Sequence, residues 1–177
     1  MSDDRNIQNL ALVGFMGTGK STLGRLAAEH LRFEFVDTDA WIEAQTGQSV
    51  SDIFSRQGET AFRQYEKQAV AALGLQRGLV IATGGGLVLD PANLAGLKAH
   101  SLVIWLCASP GVIWARVKDQ PHRPLLQVAD PQARIREMLA ARSPAYRQAD
   151  VLLDSGLRPP REVAQQIAHQ FHLARKK

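Results

Sequence analysis

A chain of 177 residues with 45% hydrophobic and 21% charged side chains has the length for one domain with a proper core and the composition of an ordinary globular protein. It has no apolar stretch of membrane-spanning length and no apolar signal core in residues 1–9, and its single cysteine, Cys107, excludes an internal disulfide; the expectation is a cytoplasmic protein outside the membrane. A net charge of +4 and a pI near 9.6 suit small anionic ligands, but the basic residues are spread out and cluster only at Arg175-Lys176-Lys177, so no nucleic-acid partner is expected.

The first apolar run, Leu10–Val13, predicts a strand. Directly after it, Gly14-Phe15-Met16-Gly17-Thr18-Gly19-Lys20-Ser21-Thr22 fits the pattern G-x-x-x-x-G-K-[ST]. Leu23, Leu26, Ala27 and Leu31 then share one helical face. Strand, glycine loop and helix form the context of a phosphate site. Glycines let backbone N–H groups close on an anion, and the helix start adds its positive end. Lys20 brings a mobile charge to the outer phosphates, and the Ser21 hydroxyl can ligate Mg²⁺. Gly17, Thr18, Gly19, Lys20, Ser21 and Thr22 are therefore the candidate nucleotide-binding residues.

A second strand is predicted at Phe33–Val36, closed by Asp37-Thr38-Asp39. Two carboxylates one residue apart can divide their work: one can hold a metal's water shell while the other faces a second substrate. The alternative for Asp39 is a helix N-cap over Ala40–Thr46. Further on, Arg63 and Glu66 stand three apart on a helix. They form either a solvated pair or, with Phe54 and Phe62 as apolar walls, part of a pocket.

The third strand, Leu79–Thr83, runs into Gly84-Gly85-Gly86, a triplet that permits close approach of a ligand to the main chain or serves only as a turn. Residues 84–91 read as a loop. A fourth strand follows at Leu102–Cys107, where Cys107 reads as a small core residue. Residues 119–131, spaced by Pro121, Pro124 and Pro131, read as a lid or a plain surface loop. Arg142 continues the apolar face of Ile135, Met138 and Leu139. An arginine there either meets an anion or snorkels to water. Ser143-Pro144 predicts a break, with Ser143 capping a new turn. A fifth strand, Val151–Leu153, precedes a helix with Val163, Ile167 and Phe171 on one face.

These alternations predict an α/β fold: one five-stranded parallel sheet with helices on both faces and no internal repeat. Ligands of such sheets bind beyond the carboxyl ends of the strands, where Gly14, Asp37 and Gly84 all fall.

At this point the chain resembles shikimate kinases over nearly its whole length. The resemblance rests on residues 14–22, Asp-Thr-Asp at 37–39, Gly-Glu-x-x-Phe-Arg-x-x-Glu at 58–66, Ala-Thr-Gly-Gly-Gly at 82–86, Arg-Pro-Leu-Leu at 123–126 and Arg-x-x-x-Tyr at 142–146. It implies a nucleoside monophosphate kinase type of fold, P-loop included, with a substrate-binding region near 39–66 and a mobile lid near 119–131. It implies transfer of the ATP γ-phosphoryl group to the 3-hydroxyl of shikimate, a step toward chorismate and the aromatic amino acids, in a monomer. Lys20, Asp39 and Arg123 would be catalytic, with Arg123 reaching the phosphates from the lid. Arg116 and Arg158 would lie at the adenine end. Ser21 would bind Mg²⁺, with Asp37 near it through water. Asp39 would bond the shikimate hydroxyls, as base or as orienting group. Arg63, Gly84, Gly85, Gly86 and Arg142 would form the carboxylate site, with Glu66 orienting Arg63. Pro121 departs from the glycines and small polar residues common at that lid position and would stiffen it. The rivals are a kinase for another small hydroxy acid such as gluconate, and a non-enzymatic nucleotide switch.

Overall fold

The computed structural model describes residues 5–120 and 126–175. Strand β1, Asn9–Val13, is buried along its whole length because it lies in the middle of the sheet, with neighbours on both edges and helices on both faces. Around it stand β2 (Glu34–Asp37), β3 (Leu79–Ala82), β4 (Ser101–Cys107) and β5 (Val151–Asp154), in the order β2-β3-β1-β4-β5 and all parallel. Strand ends shift from expectation by about one residue, as ladder bonds rather than apolarity set them. Leu12 pairs with Ala82 on one side and Ile104 on the other.

Alternation along the strands divides the core in two. Leu10 and Leu12, with Val80 and Ile104, pack under α1 (Lys20–Leu31) and α7 (Pro160–Ala174). Ala11 and Val13, with Ile81 and Trp105, face α3 (Val50–Gly74), α4 (Pro91–His100), α5 (Pro110–Val117) and α6 (Pro131–Tyr146). A third, smaller cluster of Ile42, Ile53, Phe62 and Ala69 joins α2 (Thr38–Thr46) to α3, off the end of the sheet. Strand order reverses direction at β1. The crevice beyond its carboxyl end is thus the place where loops from β3 and β4 splay apart.

Two local expectations are corrected. α6 does not break at Ser143-Pro144 but runs through to Tyr146, and its N-cap is Asp130, whose side chain accepts from the Ala133 N–H. Pro144 falls in the last turn, where it removes one ladder bond, and the Ser143 hydroxyl donates to the Leu139 carbonyl at 2.6 Å instead of capping a new turn. Residues 84–91 are not a plain loop: a 3₁₀ turn at Leu87–Leu89 buries Leu87 and Val88, and Pro91 opens α4. The expected lid falls partly on residues 121–125, which lie outside the described residues, as does Arg123.

Asn9, one residue ahead of the predicted first strand, is already in β1 and fully buried. Its amide donates to the Gln76 carbonyl at 2.8 Å and accepts from the Leu79 N–H at 3.0 Å, pinning the start of β3. Asn9→Ala leaves both groups unpaired in the interior. It is expected to cost about 2 kcal/mol and lower the Tm by roughly 4–8 °C. A thermal melt checks this, and an unchanged melt would show that the pin is redundant.

Candidate active site

The loop from β1 into α1 is built for an anion. Gly19 occupies the N-cap position of α1 with φ 89°, a left-handed conformation that favours glycine, and no side chain caps the helix start. The first N–H groups are left to a ligand. Thr18, buried, turns inward and donates to the Phe15 carbonyl at 2.8 Å, so its hydroxyl braces the loop and only its backbone faces the cleft. Lys20 Nζ donates to the Gly14 and Phe15 carbonyls, both at 2.9 Å, and closes the loop on itself.

Asp37 ties this loop to the next strand. Its Oδ2 accepts the Ser21 hydroxyl at 3.0 Å. Its Oδ1 accepts from the Asp39 and Ala40 N–H groups, so Asp37, not Asp39, caps α2. Asp39 is thereby released from capping and sits in the first turn. Its Oδ1 is buried with no hydrogen-bond partner among the described residues. Burial first, then the charges of Asp37, Glu66 and Glu43, push its carboxyl up from the usual 3.8 to about 6, against the pull of Lys20.

The glycine triplet explains how the third side of the cleft forms. None of the three needs a left-handed backbone; what they provide is room. A Cβ on Gly84 would stand 2.7 Å from Asp39 Oδ1, and one on Gly86 would stand 2.8 Å from Arg63 Nη1. Arg142 Nη1 lies 3.5 Å from the Gly85 carbonyl, with its guanidinium over the Phe15 ring. Asp39, Arg63 and Arg142 therefore share one wall. Arg63 bonds Glu66 at 2.8 Å and Glu59 at 2.7 Å. Glu66 is 1% exposed, so this is a buried pair that orients Arg63 and not a solvated one. Burial pushes the Glu66 carboxyl up while Arg63 holds it down. Phe54 and Phe62 do stack, at 4.8 Å between centroids, with Phe62 buried and Phe54 at the surface.

The cleft encloses about 630 Å³ and is lined by the loop residues Met16–Leu23 together with Asp37, Asp39, Thr83, Gly84 and Gly85. At its other end Arg116 donates to the Gly17 carbonyl at 3.1 Å and the Ser155 carbonyl at 2.7 Å. Arg158 is exposed in the turn after β5 and does not line the cleft, although Pro160 does. Sequence reasoning missed Ser155 and Gln120 as lining residues. Ser155 follows β5 as Gly84 follows β3, so the strand-end rule extended to the fifth strand finds it; nothing local marks Gln120. Among the described residues no helix is long and apolar enough to cross a membrane.

The chain is similar to known proteins over nearly its whole length. A family model described as shikimate kinase matches residues 16–172. A shikimate kinase of Thermodesulfovibrio yellowstonii is 44% identical over 165 residues, 93% of this chain and 95% of the relative. One from Aromatoleum aromaticum is 45% identical over 159 residues, 89% and 91% of the two chains. Among solved structures, the shikimate kinase from Acinetobacter baumannii in complex with shikimate superposes with a TM-score of 0.89 at 36% identity, over 98% of this chain and 97% of that one. A gluconokinase from Sinorhizobium meliloti reaches 0.63 at 16% identity over 97% and 95%, a likeness of fold alone.

The raised Asp39 carboxyl has a stability consequence whose sign is opposite to that of a salt-bridged aspartate. Between its unfolded value near 3.8 and its folded value near 6, the folded state holds the proton more tightly. Stability is therefore greatest below the lower value and falls as pH rises through the upper one. Asp39→Asn removes this penalty and is expected to stabilise the protein by about 2–3 kcal/mol at pH 8, with most of the gain gone by pH 4. Urea midpoints at the two pH values measure it. Equal effects at both would mean that Asp39 is not the strained group.

Proposed function

The chain belongs to the shikimate kinase family, and on that footing we infer how its cleft carries out the ATP-dependent phosphorylation of shikimate at the 3-hydroxyl. The observation that carries the assignment of roles is the shared wall: an aspartate and two arginines meet at Gly84–Gly86, next to a phosphate loop.

The N–H groups of Gly17–Thr22 and Lys20 hold the ATP phosphates, and Arg116 stands at the adenine end beside Ser155. We assign Arg158 to the same end and Arg123 to the phosphates on family resemblance. Shikimate lies on the wall with its carboxylate between the Arg63 and Arg142 forks and the amide groups of the triplet. Residues 39–66, which have their own small core, form the substrate-binding region, and residues 119–131 the lid, all within one domain.

The donor set at Ser21 and Asp37 fits Mg²⁺. The two side chains meet at 3.0 Å, both offer oxygen, and no group of three or more metal-binding side chains exists among the described residues. Mg²⁺ keeps most of its water and needs few protein ligands. Ser21 would hold it directly and Asp37 through water, and when bound it neutralises phosphate charge.

Asp39 accepts a hydrogen bond from the attacking hydroxyl. Above pH 6 its carboxylate is ionised and its orphaned Oδ1 has an unused acceptor position. The hydroxyl oxygen bonds to the γ-phosphorus as the bond to the ADP oxygen breaks, the hydroxyl proton passes to the Asp39 carboxylate, and Lys20 follows the charge onto the leaving phosphates. Glu66 keeps Arg63 in place from behind. We further place the enzyme in the cytoplasm as a monomer, the expectation its composition and family resemblance suggest.

Incubation with ATP, Mg²⁺ and shikimate is expected to release ADP only when shikimate is present; a rate independent of shikimate would overturn the function. Arg142→Lys should raise the KM for shikimate about tenfold or more with the KM for ATP nearly unchanged, because a point charge cannot replace a fork. Asp39→Asn should lower kcat about a hundredfold or more while the protein stays folded. A fully active Asp39→Asn enzyme would reduce Asp39 to a structural residue.

A further inference from the structure

Tyr146 takes no part in the chemistry described above, yet it is one of the largest fully buried side chains of the protein. Its ring packs against Trp105 at 5.9 Å, and its hydroxyl donates to the Gly85 carbonyl at 2.6 Å. Burial first pushes its phenol above the ordinary value, against the pull of Arg142, so it remains protonated and a donor at neutral pH. Arg142 stands beside that hydroxyl, and its Nη1 lies 3.5 Å from the same Gly85 carbonyl, at the outer limit of a hydrogen bond. Tyr146 and Arg142 are one helical turn apart on α6, so both reach the glycine wall from one element.

We propose that Tyr146 is a positioning residue for the acidic substrate: its hydroxyl claims the Gly85 carbonyl, which locks the Gly85–Gly86 peptide and keeps the Arg142 fork free for a carboxylate. Two physical arguments support this. A peptide between two glycines has no Cβ on either side to resist rotation, so its plane needs an external anchor. The peptide is trans, and its N–H points opposite to its C=O. With the carbonyl held toward buried Tyr146, the Gly86 N–H is turned away from the core, toward the side from which a ligand approaches. Arg142, in turn, would close its 3.5 Å gap onto an unclaimed Gly85 carbonyl, since a guanidinium in a half-buried place seeks an acceptor. A guanidinium spent on its own backbone is lost to the substrate.

The inference rests on the reading of Arg142 as a carboxylate ligand, and the test separates the two. Tyr146→Phe keeps the ring and removes only the hydroxyl. The expected result is a KM for shikimate raised about five- to twentyfold, with the KM for ATP within about twofold and ADP binding retained. The double variant Tyr146→Phe/Arg142→Lys is expected to raise KM hardly more than Arg142→Lys alone, because both changes remove the same fork. A merely structural tyrosine would lower the Tm, weaken ATP and shikimate together, and add to Arg142→Lys. If Arg142→Lys raises KM and Tyr146→Phe does not, the positioning role falls while the clamp stands. If neither does, both fall. A second check uses the unsubstituted enzyme: NMR should find the Tyr146 hydroxyl proton protected from exchange, with and without shikimate. A freely exchanging hydroxyl would overturn the proposal even if the variant failed to fold.

Discussion

Three consecutive residues without side chains hold this active site together. Asp39 arrives from α2, Arg63 from α3 and Arg142 from α6, and each meets the main chain at Gly84–Gly86. A methyl group at Gly84 or Gly86 would collide with a charged side chain at less than 3 Å. The wall is therefore polar backbone instead of apolar side chain. It can offer N–H groups to an anion while admitting a carboxylate and two guanidinium groups to the same space. The sheet makes this possible, because β3 delivers the triplet to the side of β1 that also carries the phosphate loop.

Electrostatics in the cleft follows from that crowding. Acidic groups at 37, 39 and 66 stand among cations at 20, 63 and 142, yet they are not equivalent. Asp37 is spent on a cap and on Ser21, Glu66 on Arg63, and only Asp39 keeps an unsatisfied buried oxygen. An unpartnered acceptor in the interior costs stability, and the same burial raises the Asp39 carboxyl. The protein carries a destabilising group at the point where the proposed reaction needs an acceptor for a substrate hydroxyl. The same logic runs in reverse at Arg63, where burial works against the charge but the Glu66 and Glu59 carboxylates more than hold it.

Much of this was legible along the chain. The phosphate loop declares itself because its chemistry needs glycines, a lysine and a serine at fixed spacing. The central strands β1, β3 and β4 were readable because strands buried on both faces are continuous apolar runs. Strand-end residues 14, 37 and 84 pointed to one crevice; Asp37 and Gly84 line it, and Gly14 lies just behind it, its carbonyl taken by Lys20. Other features were misread for definite reasons. The cap offered as the alternative for Asp39 is made by Asp37, because the backbone path decides which carboxylate meets the helix start. Pro144 reads as a break, but a proline in a last turn removes a single bond that neighbouring packing outweighs. Asn9 gave no local sign of burial because its side-chain partners, Gln76, Leu79 and His100, lie far along the chain.

Local patterns thus settle what depends on short-range chemistry: the parallel α/β class, the phosphate loop, and the residue types that can meet an acidic, hydroxylated substrate. Family-specific motifs extend this to the reaction. What lies beyond them is distance between segments remote in the chain. That Glu66 is 1% exposed behind Arg63, that Asp39 lacks a partner for one oxygen among the described residues, and that Tyr146 grips the Gly85 carbonyl are settled when separate helices are packed onto one sheet, even where, as for Arg63 and Glu66, spacing already showed the pair. Burial and partnership are properties of neighbours, and neighbours sixty residues apart are chosen by packing, not by spacing.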